Sequence, residues 1–255
     1  MIEINDSSKE VLGTIKLWAG ITNMEVKAVN PNMAELNDMG INIKTEPNYT
    51  ITMPGGKEVF KVVFWVANPD LTTKVEFLLE NTPKMTKDGN KTQWVNDYGQ
   101  FMYAESTEAI QNNPKMEWYK HDGIRPAFPN EEKLIGFIRA WANVASGGKV
   151  SLDTMDKIAS GADLSELKQL VTQLSNNRVR VLVGVKDGKY QNVYTSYFGR
   201  TQKSGDSYFV KALNGEFSGF NAEVPGDLQW GQFTPQLSIT QPDKEEAPAE
   251  TDDWV

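Results

Sequence analysis

Apolar and polar residues alternate along much of this chain in short blocks, and the blocks predict mostly strands. Residues 11–30 (VLGTIKLWAGITNMEVKAVN) read as one or two strands around Gly20. Residues 32–39 fit one short helical turn ended by Gly40. A hairpin follows, Tyr49–Met53 and Glu58–Val66, around Pro54-Gly55-Gly56-Lys57. With the two glycines as the loop, Tyr49, Ile51, Phe60, Val62 and Phe64 share a core face. Thr50, Thr52, Lys61, Val63 and Trp65 then share the other. Residues 73–80 (TKVEFLLE) predict another strand, and 83–91 a basic loop containing glycine. Residues 91–104 predict two short strands around Asn96–Gly99 and carry Trp94, Tyr98, Phe101 and Tyr103. Residues 112–129 have no period and read as a long loop with Lys115, Trp118, Tyr119, Lys120, His121 and Arg125; such loops are often functional.

The period then changes. Asn130 is a good N-cap, Glu131 and Glu132 suit the positive first turn of a helix, and Leu134, Ile135, Phe137, Ile138 and Trp141 form its apolar face. Ser151 caps a second helix ended by Gly161, and Asp163 with Glu166 forms a capping-box pattern before a third. Residues 178–200 return to strand, with Asp187-Gly188 as a type I′ turn. Pairing outward from that turn puts Val179, Val181, Val183, Val185, Tyr190 and Tyr194 on a core face. Arg178, Arg180, Lys186, Lys189, Gln191, Thr195 and Tyr197 fall opposite. A strand over 207–213 and a glycine-rich stretch to about Phe233 follow, and no internal repeat stands out. The expected fold is mainly β with a helical insertion (α+β): an OB-like Greek-key barrel over residues 1–236 with helices near 130–175, and a β-sandwich as the second choice. Residues 237–255 read as a disordered acidic tail.

Charge sharpens this division. The 255 residues carry a net charge of −8, yet Gln241 to Val255 (QPDKEEAPAETDDWV) holds six acids against one lysine, which leaves the body close to neutral. Its basic residues are therefore free to cluster. The absence of cysteine removes disulfides, cysteine–zinc sites and thiol nucleophiles, and the single histidine, His121, rules out multi-histidine metal sites. No apolar run is long enough for a membrane helix, and MIEINDSSKE does not read as a secretory leader. The expected setting is a bacterial or phage-infected cytoplasm.

Enzyme signatures are poor. Pro54-Gly55-Gly56-Lys57 is too short for a phosphate-binding loop and lies in a hairpin rather than between strand and helix. The acidic pairs Glu131-Glu132, Glu245-Glu246 and Asp252-Asp253 read as a helix start and a solvated tail, and His121 beside Asp122 as a surface residue. The expectation is a non-enzyme without cofactor or metal. Binding of single-stranded nucleic acid needs cations along the phosphates and aromatic faces under the bases. The candidates are Lys61 and Trp65; Trp94, Tyr98, Phe101 and Tyr103; Trp118, Tyr119, Lys120 and Arg125; and Arg178, Arg180 and Tyr197.

The tail ends Asp252-Asp253-Trp254-Val255, an aromatic on an acidic arm suited to a partner's pocket with a basic rim. These fifteen residues resemble the tails of replication single-stranded DNA-binding proteins of bacteria and phages, with Val255 where Phe is usual. The resemblance implies sequence-independent binding of single-stranded DNA, no metal, and a role in replication or recombination. The tail would compete with DNA for a cationic groove and, once displaced, recruit partner proteins. The alternative is a virion component or assembly adaptor, whose aromatic faces bury a protein interface. A third class, a carbohydrate-binding β-domain, would use the same aromatics on sugars.

Overall fold

The computed structural model describes residues 20–69, 71–119, 122–142, 151–186, 190–193 and 195. Residues 11–19, Lys120, His121, the Asp187-Gly188 turn, Tyr194, Tyr197, the strand expected at 207–213, the stretch to Phe233 and the tail with Asp252, Asp253, Trp254 and Val255 lie outside the described residues. The elements run β1 (Gly20–Val29), α1 (Met33–Asp38), β2 (Thr50–Thr52), β3 (Glu58–Ala67), β4 (Thr72–Leu79), β5 (Thr92–Val95), β6 (Phe101–Ala104), α2 (Thr107–Gln111), a 3-10 turn at Pro114–Met116, β7 (Arg125–Pro126), α3 (Glu131–Ala142), α4 (Leu152–Ala159), α5 (Ser165–Gln173), β8 (Arg178–Lys186) and β9 (Tyr190–Val193).

The architecture is mixed, mostly antiparallel strands with a few helices. One sheet has the order β2-β3-β1-β8-β9, with β4 also on β3; a small second sheet has the order β6-β5-β7. No closed barrel forms among the described residues. The two ends of the larger sheet nevertheless curl toward each other, with Cα atoms of β4 and β9 within 8 Å and no ladder between them. No helix among the described residues is long and apolar enough to cross a membrane.

The alternation in β3 and β4 determines their faces. Val62, Phe64 and Val66 of β3 and Val75, Phe77 and Leu79 of β4 point into the core, where burying each such side chain is worth about 1.5–3 kcal/mol. Leu134, Phe137 and Trp141 of α3 fill the same space, with Ile135 beside them. Phe64 is the hub: its ring centroid lies 4.6 Å from Phe137, 6.0 Å from Phe77 and 6.1 Å from Trp141. A second core joins Met102, Ile110 and Tyr119, with Trp94 and Met116 packed against them.

Both hairpins differ from expectation by one residue. In the first, Met53 N–H donates to the Lys57 carbonyl and Gly56 N–H to the Met53 carbonyl, so the loop is Pro54-Gly55-Gly56. Gly55 and Gly56 have φ of 94° and 80°, which suits glycine after a proline in this turn. Ile51 therefore sits opposite Val59, and Thr50 opposite Phe60, which reverses the expected faces of β2. In the second, Val183 pairs with Val193 and Lys186 with Tyr190, so three residues rather than two separate the strands. Val193, absent from the expected core face, packs on the core. The Asp163–Glu166 capping box also does not form: Asp163 accepts from Ser165 N–H, and Glu166 from the Thr154 hydroxyl. Asn130, with φ of 65°, donates its side-chain amide to the Leu78 carbonyl and so ties the start of α3 to β4.

Gly161, just past α4, has φ of 69°, and a Cβ there would lie 2.7 Å from the Phe60 ring. Gly161→Ala is expected to cost about 1–3 kcal/mol by combining a left-handed backbone with overpacking. Denaturant unfolding checks this, and a loss below about 0.5 kcal/mol would show that Phe60 yields freely.

Candidate nucleic-acid interface

The outer face of the large sheet collects cations from four strands. On β3, Lys61 and Trp65 alternate with the core residues and remain half-exposed, while Val63 between them and Val59 before them are buried. On β4, Lys74 pairs with Trp65, Glu76 with Val63 and Leu78 with Lys61. On β1, Ala28 pairs with Trp65 and Glu25 with Ala67. Beyond β1, Arg178 pairs with Glu25 and Arg180 with Asn23. Lys61, Trp65, Lys74, Arg178 and Arg180 thus share one surface, although Lys61 and Arg180 are 119 positions apart in sequence.

Two backbone devices hold this surface. A bulge between Val26 and Ala28 leaves Lys27 as an extra residue on β1, and its ammonium returns to Glu25. Asn30, with φ of 40°, is buried at the end of β1. Its amide donates to the Lys61 carbonyl (2.8 Å), its side-chain oxygen accepts from Val63 N–H (2.6 Å), and its own N–H donates to the Val63 carbonyl (2.9 Å). Asparagine tolerates this left-handed conformation better than most residues. The clamp fixes the backbone on both sides of Val62, and with it the direction of Lys61.

Two carboxylates sit among the cations. Glu76 lies 3.0 Å from Lys74 and 3.8 Å from Lys61. Glu25 lies 3.3 Å from Arg178 and also pairs with Lys27. The hydrogen bond from Lys27, reinforced by its charge and by Arg178, holds the Glu25 carboxyl below its ordinary value, so it stays ionised in mildly acid solution. Burial lowers the Arg180 guanidinium somewhat, yet an arginine remains a cation at neutral pH. A cleft at this end of the face is lined by Glu25, Lys27 and Arg178 together with Ala67, Asn68 and Pro69.

The other expected contacts are dispersed. Trp94 packs on the second core and donates its indole N–H to the Ala104 carbonyl (3.0 Å). Tyr119 is fully buried there, and burial pushes its phenol up. The physical reason is the 3-10 turn at Pro114–Met116, which bends the loop so that Tyr119 N–H reaches the Met116 carbonyl. Its neighbour Trp118 is the exposed member, at 55 %, touching Tyr119 edge-on at 5.8 Å. Phe101 packs against the main core, Tyr98 lies in the β5–β6 turn with its carbonyl bound by Arg139, and Tyr103 lies under the Lys84 ammonium at 5.9 Å.

Arg125 is engaged elsewhere. Its guanidinium donates to both oxygens of Glu131 (2.7 and 3.0 Å) and reaches Asp156 at 3.0 Å, and it stacks on Phe128 at 5.3 Å. Glu131 stands in the first turn of α3 as expected, but it is completely buried there and also accepts from Phe128 N–H. Burial raises its carboxyl above the ordinary value, against the pull of Arg125. This pair joins β7 to α3 and α4, so Arg125 holds the fold and is withdrawn from phosphate contact.

Lys74 and Lys27 belong to the face and were missed in the sequence. Alternation through TKVEFLLE was enough to place Lys74 outward; nothing local foretold the bulge at Lys27. No protein-family model matches the chain, and no curated protein or solved structure is significantly similar to it.

Proposed function

We propose that this protein binds single-stranded DNA without sequence preference, through the outer face of β3, β4, β1 and β8. The observation that carries the reading is that Lys61, Lys74, Arg178 and Arg180 share one sheet face with Trp65. Cations on a sheet surface meet phosphates regardless of sequence, and a tryptophan ring stacks on any base. The strand order supports it further. Read cyclically, β1-β3-β4-β9-β8 is the order of a five-stranded Greek-key barrel of the OB type, left open between β4 and β9, with the helices inserted between its third and fourth strands. Its second and third strands, β3 and β4, are those that bind oligonucleotides in such barrels. The protein acts as a non-enzymatic component of replication or recombination in a bacterial or phage-infected cytoplasm. Its acidic tail competes for the cationic face, and Trp254 docks on partner proteins.

The test is a fluorescence-polarisation titration of labelled oligo-dT at several salt concentrations. It uses the full chain, a form lacking residues 241–255, and Trp65→Ala. Four to five cations on the face predict a log–log salt slope of about −3, at roughly −0.7 per phosphate. Trp65→Ala is expected to lose about 1–3 kcal/mol of binding. Tail removal is expected to tighten binding most at low salt. Absence of binding by every form would sink the proposal. The adaptor reading has one observation of its own, the exposure of Trp118 and Met85. It predicts no salt-sensitive oligonucleotide binding at all.

A further inference from the structure

The outer face carries two repeats of one arrangement: a carboxylate between two cations. Glu76 sits between Lys61 and Lys74, and Glu25 between Lys27 and Arg178. Trp65 lies between the two arrangements in register, since Val63 opposes Glu76 and Ala67 opposes Glu25. Four residues along β3 and two strand spacings across place the two carboxylate rows about 16 Å apart, too far for adjacent phosphates of one strand.

We infer that these are two phosphodiester subsites, flanking a base-stacking position at Trp65, and that Glu25 and Glu76 occupy them as internal stand-ins for phosphate. This rests on the single-strand reading above and deepens it. A carboxylate offers cations anionic oxygens as a phosphodiester does: Glu25 divides its two oxygens between Lys27 and Arg178, and Glu76 turns one oxygen to both Lys61 and Lys74. In the free protein each glutamate keeps its cations turned toward the subsite and lowers the repulsion among five clustered positive charges. On binding, a phosphate joins or replaces the carboxylate, and the residual negative charge weakens the complex. The glutamates therefore limit affinity and favour release, which suits a protein that must leave DNA as a polymerase advances.

The test measures oligo-dT binding by the full chain and by Glu25→Gln, Glu76→Gln and the double variant, at low and moderate salt. Glu108→Gln, on exposed α2, controls for a bare change of net charge. Each face variant is expected to tighten binding about two- to fivefold at low salt, the range of an exposed ion pair, with a smaller gain at moderate salt. The double variant is expected to gain roughly the product. Lys74→Gln, which keeps Glu76, is expected to weaken binding by a similar factor and serves if a glutamine variant fails to fold by circular dichroism. Binding by the wild type with no gain in the face variants, or an equal gain in Glu108→Gln, overturns the subsites and leaves the single-strand reading standing. Unchanged affinity in Lys74→Gln overturns them too. Binding by the double variant alone would support them, with the wild-type face masked. If no form binds, both readings fall.

Discussion

Arg125→Ala is expected to lower the free energy of unfolding by about 3–5 kcal/mol while leaving oligonucleotide affinity of the folded protein unchanged. The size follows from what is left behind. Glu131 has no exposure to solvent, and both of its oxygens accept from Arg125. Without the guanidinium, the buried carboxyl keeps the Phe128 N–H donor but loses both arginine donors, and must be protonated or hydrated at the expense of packing. Asp156 contributes little to the loss, because its side chain is half-exposed and rejoins water. Arg125→Lys is expected to recover only part of it, since one ammonium cannot reproduce two parallel N–H donors. Urea unfolding gives the stability and polarisation the affinity. A loss of stability below about 1 kcal/mol would show that Glu131 is readily accommodated without its partner. A selective loss of DNA affinity would return Arg125 to the interface.

Phe64→Ala is expected to cost a similar 3–5 kcal/mol, by lost burial plus an unfilled cavity. The ring touches aromatics from β4 and from both turns of α3 that face the sheet, so no single neighbour can collapse into the space. Phe64 and Trp65 are adjacent in sequence and opposite in role. One substitution should unfold the protein more readily and leave folded-state binding intact, and the other should do the reverse. Thermal unfolding of the two variants side by side checks the face assignment of β3. Comparable stability losses in both would mean that Trp65 is a core residue.

Much of this fold is legible locally. The alternation of β3 and β4 and the apolar stripe of α3 survive because each is decided within one element by burial of every second or every third-to-fourth residue. Hairpin register is decided by the turn, which the alternation of the flanking strands does not fix. Pro54-Gly55-Gly56-Lys57 allows a two- or a three-residue loop, and one residue of difference turns β2 over. Trp118 and Tyr119 show the same limit on a smaller scale. Both are aromatic, neither has a periodic neighbour, and only the bend at Pro114–Met116 decides which enters the core. Arg125 read as a loop cation because its partner, Glu131, looked like an ordinary first-turn acid. The pairing of Arg178 with Glu25 has no local signal, since it depends on β1 and β8 meeting across the sheet.

That last pair joins residues 153 positions apart. During synthesis β1 leaves the ribosome long before β8 exists, and until β8 pairs with it neither Arg178 nor Arg180 joins the face that carries Trp65. Long-range pairings of this kind form late and slowly. A nascent chain therefore exposes an incomplete cationic surface next to the messenger from which it is being made. If the protein binds single strands as proposed, the complete cationic face forms only after β8 has been made, which would spare the transcript from capture by its own product.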